Sequence, residues 1–298
     1  MDAAPDSAAV DGVLLLDKPS GPSSNAVLQR AKKLLGARRA GHTGTLDPLA
    51  GGLLVLTLGE ATKFSGELLD ADKTYRATLR LGARTSTGDA EGEVLLRREV
   101  KAGRGDLLKA LEGFRGPIMQ TPPMYAAIKH QGRPLYSYAR KGEDVPRTAR
   151  PVTVRRIELE SFEGQTATLE VECSKGTYVR VLAEDIGEAL GCGAHLAALV
   201  RTAVGPFRLS DAIGVDALEA LLPGQRRGNL LPPDALLGPR PRVVLAPGTV
   251  GKFQQGQAVP VGLAEGPVGV YADGGAFLGT GEVGADGVLR PKRLLALR

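Results

Sequence analysis

The sequence predicts an α+β fold: a central, mainly antiparallel sheet flanked by helices and loops, followed by a small β-rich C-terminal domain. Segments in which apolar and polar residues alternate recur along the first two thirds of the chain. Two amphipathic helical patterns lie among them, and the composition changes near residue 223. Alternating strands mixed with few helices are typical of half-buried antiparallel sheets.

The first predicted elements are two buried strands with a helix between them. The strands are the apolar runs GVLLLDK at residues 12–18 and GLLVLTL at residues 52–58. Residues 25–35 carry an apolar stripe, with Ser23 or Ser24 as the helix cap and Gly36 as its end. The glycine-rich residues 38–52 are predicted to be a loop.

The next strands alternate cleanly. In residues 74–81, Tyr75 shares one face with Ala77, Leu79 and Leu81, and residues 166–173 repeat the pattern. Residues 179–190 form an amphipathic helical pattern in which Arg180 lies off the apolar stripe, and Gly191 ends it.

The C-terminal part contains short strand patterns with tight turns. Residues 223–241 are rich in Pro and Gly and are predicted to be a linker. After them, strand patterns at 268–271, 276–283 and from 288 onward are separated by Asp-Gly turns. We therefore expect an acidic disordered tail at residues 1–11, a first domain at 12–236 and a second at 241–298.

Charge and cysteine content limit the function classes. The net charge is +5, but residues 120–156 contain eight Lys or Arg and two acidic residues, so this block alone carries +6. A basic block on a near-neutral body suits a polyanion partner or forms a solvated loop. The chain has two cysteines and no Cys/His cluster, so reduced structural thiols are expected rather than a zinc site. With no basic N-terminal leader and no apolar run long enough to span a bilayer, a cytoplasmic location is expected.

The most informative stretch is GHTGTLDPLAGG, residues 41–52. Its glycines allow close approach of a ligand, and Pro48 favours an extended conformation at Asp47. The sequence contains neither a Walker phosphate loop nor a Gly-x-Gly-x-x-Gly motif, and a glycosidase would need two paired carboxylates. A single Asp in such a loop is more often a turn residue than a catalytic one.

This loop resembles the catalytic motif of the tRNA pseudouridine synthase B (TruB) family. Further resemblances follow in the order of the family, over roughly residues 12–208: GVLLLDKPSGPSSN, LLDADKTYRATLRLGARTSTGDAEG, MQTPPMYAAIKHQGRPLYSYARKG, CSKGTYVRVLAEDIG and GAHLAALVRTAVGPF. The third string resembles the RNA-clasping insertion of the family, which we call the thumb and place at about residues 120–150. The C-terminal domain resembles the PUA RNA-binding module more weakly. The resemblance implies the pseudouridine synthase fold.

The resemblance also implies the site. Asp47 is the catalytic aspartate, acting either as a nucleophile or in a route that begins with deprotonation. Arg180 is its ionic partner, although a pair with Glu184 on its own helix is the alternative. Tyr75 stacks on the target base or acts as a general base. Candidate substrate contacts are His42, Lys18, Tyr178, Asp89, Lys129, Arg133, Arg140 and Lys141.

The implied reaction is isomerisation of uridine 55 in the tRNA T-loop to pseudouridine, which needs no cofactor and no metal. The expected partner is tRNA, through its T-loop and acceptor arm, bound by a monomer without a protein partner. Aromatic and basic residues alternate in the thumb, which suits loop RNA. Two alternatives stay open: a guide-dependent synthase that acts on another RNA, and a non-catalytic RNA chaperone.

Overall fold

The computed structural model describes residues 10–296, which form a large sheet and a smaller C-terminal sheet. The strands before residue 240 are β1 (Gly12–Lys18), β2 (Ala40–His42), β3 (Gly51–Leu58), β4 (Lys73–Leu81), β5 (Ala83–Thr85), β6 (Val94–Arg97), β7 (Gly116–Gln120), β8 (Lys129–His130), β9 (Arg133–Pro134), β10 (Arg150–Glu163), β11 (Thr166–Cys173), β12 (Ala194–Val204), β13 (Phe207–Arg208), β14 (Ile213–Gly214) and β15 (Leu230–Leu231). The later strands are β16 (Arg242–Leu245), β17 (Val259–Pro260), β18 (Gly266–Ala272), β19 (Phe277–Val283) and β20 (Val288–Leu294).

The helices are fewer and shorter. They are α1 (Ser24–Leu35), α2 (Arg104–Glu112), α3 (Leu135–Ala139), α4 (Val179–Ala189), α5 (Val215–Ala220), α6 (Pro223–Arg226) and α7 (Pro247–Gln254). Short 3-10 helices lie at Gly59–Leu68, Leu209–Asp211, Arg227–Asn229 and Pro233–Leu237.

The large sheet has the strand order β14-β1-β3-β12-β4-β11-β10-β7, with β2, β13 and β15 attached at its side. Within the described residues its pairings are antiparallel except β1 with β14 and β3 with β12. The predicted mainly antiparallel α+β sheet is therefore confirmed. Strands β3, β12 and β4 lie side by side at its centre, so the loop before β3 sits next to the two central strands.

Several predicted elements are confirmed with their boundary signals. The Ser23 hydroxyl accepts a hydrogen bond from the Ala26 backbone at 3.2 Å and caps α1. Gly36 ends this helix at a φ of 68°, in the left-handed region where glycine is favoured. Strand β11 has the predicted bounds. Its inward residues, Ala167, Leu169, Val171 and Cys173, are buried.

Two long strands of the large sheet, β10 and β12, were not predicted. Both contain register shifts, between Val154 and Arg156 and between Leu159 and Ser161 in β10, and after Leu196 and Arg201 in β12. A bulge adds one residue to one strand, so the inward face moves by one position and the two-residue period is interrupted.

The predicted linker is wrong, because residues 223–241 are folded against the rest of the chain. Leu236 and Leu237 are buried in one cluster with Tyr271 and Phe277 of the C-terminal sheet. The Phe277 ring also packs against Phe64, with ring centroids 5.3 Å apart. Apolar side chains within the Pro- and Gly-rich segment thus attach the C-terminal strands to the large sheet.

The predicted tail lies almost wholly outside the described residues. Its last two positions belong to the fold: Val10 is buried in the core, and the Asp11 carboxylate accepts a hydrogen bond from the Glu60 backbone at 2.7 Å. Among residues 10–296 we find no helix with the length and hydropathy needed to cross a membrane.

Candidate active site

The glycine-rich loop that carries Asp47 joins β2 to β3 and is held from the side of α1. The Leu46 backbone donates to the Ser24 hydroxyl at 2.8 Å, and this hydroxyl donates back to the Leu46 carbonyl at 2.9 Å. The Gly21 backbone donates to the Pro48 carbonyl at 2.7 Å. The loop is therefore fixed immediately before and after Asp47.

The Lys18 side chain also supports this loop. Its ammonium donates to the carbonyls of Pro19, Pro48 and Ala50 at 2.9, 3.4 and 2.6 Å. The residue is only 1% exposed, and burial lowers the pKa of its ammonium. All three hydrogen bonds end on carbonyls in or beside the loop, so Lys18 supports the loop, and its contact with substrate stays a prediction.

Asp47 and Arg180 form an ion pair across the fold. Arg180 Nε lies 3.0 Å from Asp47 Oδ2, although 132 residues separate the two in sequence. The Arg180 side chain is 5% exposed, whereas that of Asp47 is 43% exposed. The carboxylate is thus supported from behind by a buried cation and open on its other side.

The Arg180 guanidinium is itself fixed by three further groups. Nη1 donates to the Thr87 carbonyl at 3.0 Å and Nη2 to the Tyr125 carbonyl at 2.7 Å. Asp89 Oδ2 lies 3.7 Å from Nε, and Asp89 also accepts hydrogen bonds from the Thr87 hydroxyl and the Glu91 backbone. Asp89 is buried beside Arg180 and thereby helps to fix the guanidinium that pairs with Asp47, and its contact with substrate stays a prediction.

Asp47 opens into a cavity of about 290 Å³ between the loop, the central strands and the thumb. The cavity is lined by Thr43, Gly44, Thr45, Leu46, Asp47, Leu69, Lys73, Tyr75, Tyr125, Ala126, Ala127, Ser174, Lys175, Gly176, Thr177, Tyr178, Val179, Arg180, Leu199 and Arg201. Four of these side chains are cationic and one is acidic. The cavity is therefore suited to an anionic ligand with a flat apolar part.

Tyr75 and Tyr178 supply the aromatic lining. Burial raises the pKa of the Tyr75 phenol, and the nearby Arg201 partly opposes this rise. Burial also raises the pKa of Tyr178, opposed by Arg180. Both phenols are therefore protonated at neutral pH, and a phenolate base at Tyr75 is disfavoured.

His42 is not among the residues that line this cavity. It lies on β2 opposite Leu56, half-buried, and its Nδ1 has no hydrogen-bond partner among the described residues. Burial and the nearby Arg201 lower the pKa of its imidazole. The imidazole of His42 is therefore neutral at pH 7, and its contact with substrate stays a prediction.

The thumb extends from the edge of the cavity. Tyr125 and Ala126 line the cavity, while the four predicted RNA-contacting cations, Lys129, Arg133, Arg140 and Lys141, are exposed. The Arg140 guanidinium lies 5.3 Å from the centroid of the Tyr136 ring. A free basic surface therefore continues outward from the cavity.

Sequence reasoning missed several residues of the site. Arg201 and Lys73 line the cavity, Ser24 anchors Leu46, and the Gln120 side chain bonds both backbone groups of Tyr178. An arginine within the apolar run AHLAALVRTAV was the available signal for Arg201, because a charge in a buried strand needs a specific partner. The other three have no distinctive local pattern.

The other candidates for chemistry are the two cysteines and a metal site. Cys173 and Cys192 are buried and free, and burial raises the pKa of the Cys173 thiol to about 11. In the part of the chain that the structure describes, no three His, Cys, Asp or Glu side chains come together as ligands for one metal ion.

Sequence comparisons match most of the chain. A family model described as "TruB family pseudouridylate synthase (N terminal domain)" matches residues 32–179. Models of the tRNA pseudouridylate synthase B C-terminal domain and of "Pseudouridine synthase II TruB, C-terminal" match residues 180–237 and 241–295. The tRNA pseudouridine synthase B of Aromatoleum aromaticum is 54% identical over 289 residues, which cover 96% of this chain and 93% of that protein. That of Chromobacterium violaceum is 55% identical, with 96% and 95% covered.

Solved structures share the fold at lower identity. A chain from an H/ACA RNP bound to a substrate RNA superposes with a TM-score of 0.72 at 25% identity, covering 96% of this chain and 86% of that one. A chain from a Cbf5-Nop10-Gar1 complex gives a TM-score of 0.69 at 28% identity, covering 95% and 84%.

The half-buried imidazole of His42 predicts that the stability of the protein depends on pH. Its pKa in the folded protein lies below the unfolded value of 6.5. As the pH falls below 6.5, the unfolded chain binds a proton that the folded protein does not, so the free energy of unfolding decreases. We expect this decrease to be smaller in His42→Gln, measured by urea denaturation between pH 7.5 and 5.5. Equal pH dependence in the two proteins would contradict the assignment.

Proposed function

Because the chain belongs to the TruB family of pseudouridine synthases and forms pseudouridine in tRNA, we propose that it modifies uridine 55 of the T-loop with Asp47 as its catalytic carboxylate. The observation that supports this proposal best is the ion pair of Asp47 with buried Arg180 at the edge of the cationic cavity. An identity of 54–55% to tRNA pseudouridine synthases, against 25–28% to the H/ACA-type structures, favours tRNA over guide-dependent substrates.

The proposed chemistry needs a carboxylate that is charged and shielded from water. The C1′–N1 bond must break, the uracil must turn, and C5 must join C1′ while its proton leaves. Asp47 takes part either by attacking the ribose or by promoting its deprotonation. Both routes use the ionised carboxylate, and the Arg180 guanidinium holds the Asp47 side chain in place by direct contact.

Tyr75 contributes a flat face to the cavity beside this carboxylate. A neutral phenol can stack on the extruded uracil, since flipped bases are held between aromatic and apolar side chains. Proton transfer to Tyr75 would require the phenolate, which burial disfavours by raising its pKa. Tyr178, on the same wall, extends the stacking surface.

The RNA is bound, in this proposal, by the thumb and the C-terminal domain. The exposed thumb cations contact T-loop phosphates, and the Arg140–Tyr136 pair offers a surface for an unstacked base. The PUA-like strands of residues 241–298 bind the acceptor arm. These strands pack against the first domain through Phe64 and Phe277, so both RNA contacts belong to one folded chain. The protein works as a monomer in the cytoplasm.

The test of function is pseudouridine mapping on an unmodified tRNA transcript. We expect the wild-type protein to convert uridine 55 alone, and Asp47→Asn to form no product while binding tRNA with similar affinity. The neutral amide keeps the shape of the side chain but cannot act as a carboxylate. Asp216→Asn, an exposed site with a side chain 86% exposed, is the matched control and should be fully active.

Formation of pseudouridine by Asp47→Asn would show that Asp47 is not the catalytic carboxylate. Modification of another uridine by the wild type would instead refute the proposed position while leaving the catalytic assignment in place. If neither the wild type nor Asp47→Asn forms pseudouridine but both speed tRNA folding, the protein is an RNA chaperone.

Thumb binding is tested by salt dependence. We expect Lys129→Gln/Arg133→Gln to weaken tRNA binding and to reduce the slope of log K against log salt by about one for each lost phosphate contact. The single-turnover rate at saturating tRNA should change little. Lys101→Gln/Lys109→Gln removes the same charge from an exposed surface near α2 and should leave the slope unchanged. Equal slopes for the two double variants would contradict the thumb assignment.

A further inference from the structure

Arg201, on β12, is a buried arginine whose partners are backbone carbonyls rather than acids. It is 2% exposed. Its Nε donates to the Leu53 carbonyl at 2.7 Å, Nη2 to the Gly44 carbonyl at 3.0 Å and Nη1 to the Thr45 carbonyl at 3.4 Å. Hydrogen bonds from a charged donor are strong enough to offset part of the cost of burying it. The side chain is therefore held in one position.

The three carbonyls belong to the two stems of the loop that carries Asp47. Gly44 and Thr45 precede Asp47, and Leu53 follows it within β3. One planar guanidinium thus joins the incoming and the outgoing strand of the loop. A lysine ammonium lacks the forked, planar arrangement of donors that this bridge uses.

The backbone of Arg201 is fixed as tightly as its side chain. It pairs with Gly52 of β3 on one side and with Tyr75 of β4 on the other. Gly52 has a φ of 94°, and an added Cβ would lie 2.4 Å from the Arg201 carbonyl oxygen and 2.8 Å from its nitrogen. Only a glycine lets the two strands approach this closely.

The same side chain meets Tyr75 in the cavity. Directly paired residues on neighbouring strands have side chains a few ångströms apart on one face. Both Arg201 and Tyr75 line the cavity, and the register shift that follows Arg201 changes the direction of the next side chains. Arg201 therefore contacts the loop of Asp47 on one side and faces the aromatic ring on the other.

We propose that Arg201 is a positioning residue, which sets the place of the Asp47 loop relative to Tyr75 and does not itself act on the reacting atoms. This inference rests on the proposed function of Asp47. A carboxylate and a stacked base must meet within a fraction of an ångström, so a small displacement of the loop slows the reaction without preventing RNA from binding.

The experiment compares Arg201→Met and Arg201→Lys with the wild type. For each protein we measure the single-turnover rate at saturating tRNA transcript, the Kd for this tRNA and the midpoint of thermal unfolding. We expect Arg201→Met to lower the rate by about 100-fold at a Kd within about twofold of the wild type. The rate of Arg201→Lys should lie between that of Arg201→Met and that of the wild type. Arg76→Met is the control, because Arg76 neighbours Tyr75 on β4 but is 59% exposed and pairs with Glu160.

Three results would overturn the inference. A wild-type rate in folded Arg201→Met or Arg201→Lys would show that the bridge is not needed. A raised Kd with an unchanged rate would make Arg201 a substrate contact. If neither variant folds, Arg201 is needed for the stability of the fold rather than for positioning the loop. Absence of pseudouridine from the wild type as well would refute the proposed function itself, which separates the two failures.

Discussion

The site depends on one interaction, the ion pair between Asp47 and Arg180. The Asp47 carboxylate is 43% exposed, and the 5% exposed guanidinium of Arg180 holds it at 3.0 Å through an ion pair. The position of Arg180 in turn depends on α4, whose first turn presents it to the loop, and on the carbonyls of Thr87 and Tyr125. Because Tyr125 belongs to the thumb, the guanidinium that pairs with Asp47 is also hydrogen-bonded to that segment.

Buried cations support the loop from three directions. Arg180 holds Asp47 itself, Lys18 holds the carbonyls after it, and Arg201 joins the two stems. Gly52 makes the last of these possible by letting β12 approach β3. Carbonyls in a glycine-rich loop have few partners of their own, so these donors replace the hydrogen bonds that regular secondary structure would provide. The loop is thereby rigid where chemistry needs it to be rigid.

Much of the fold could be predicted from local pattern, and much of the site could not. Regular alternation predicted β4 and β11, and capping residues predicted both ends of α1. The bulges in β10 and β12 interrupted that alternation, and these strands were missed together with Arg201. The packing of Leu236 and Leu237 against the C-terminal sheet was missed, because the Pro- and Gly-rich composition of this segment does not show which side chains are buried. For Lys18 and His42 the sequence gives the residue type but not the direction in which the side chain points, so their predicted substrate contacts stay predictions.

The single-turnover rates of Arg180→Lys and Arg180→Met at saturating tRNA show whether Asp47 needs this cation. The lysine keeps a positive charge but loses the forked contacts with Asp47, Thr87 and Tyr125, and the methionine keeps neither. The account predicts single-turnover rates reduced by at least about 100-fold for methionine, with a smaller loss for lysine and little change in tRNA affinity. A wild-type rate in folded Arg180→Met would contradict it, since Asp47 would then work without its cation.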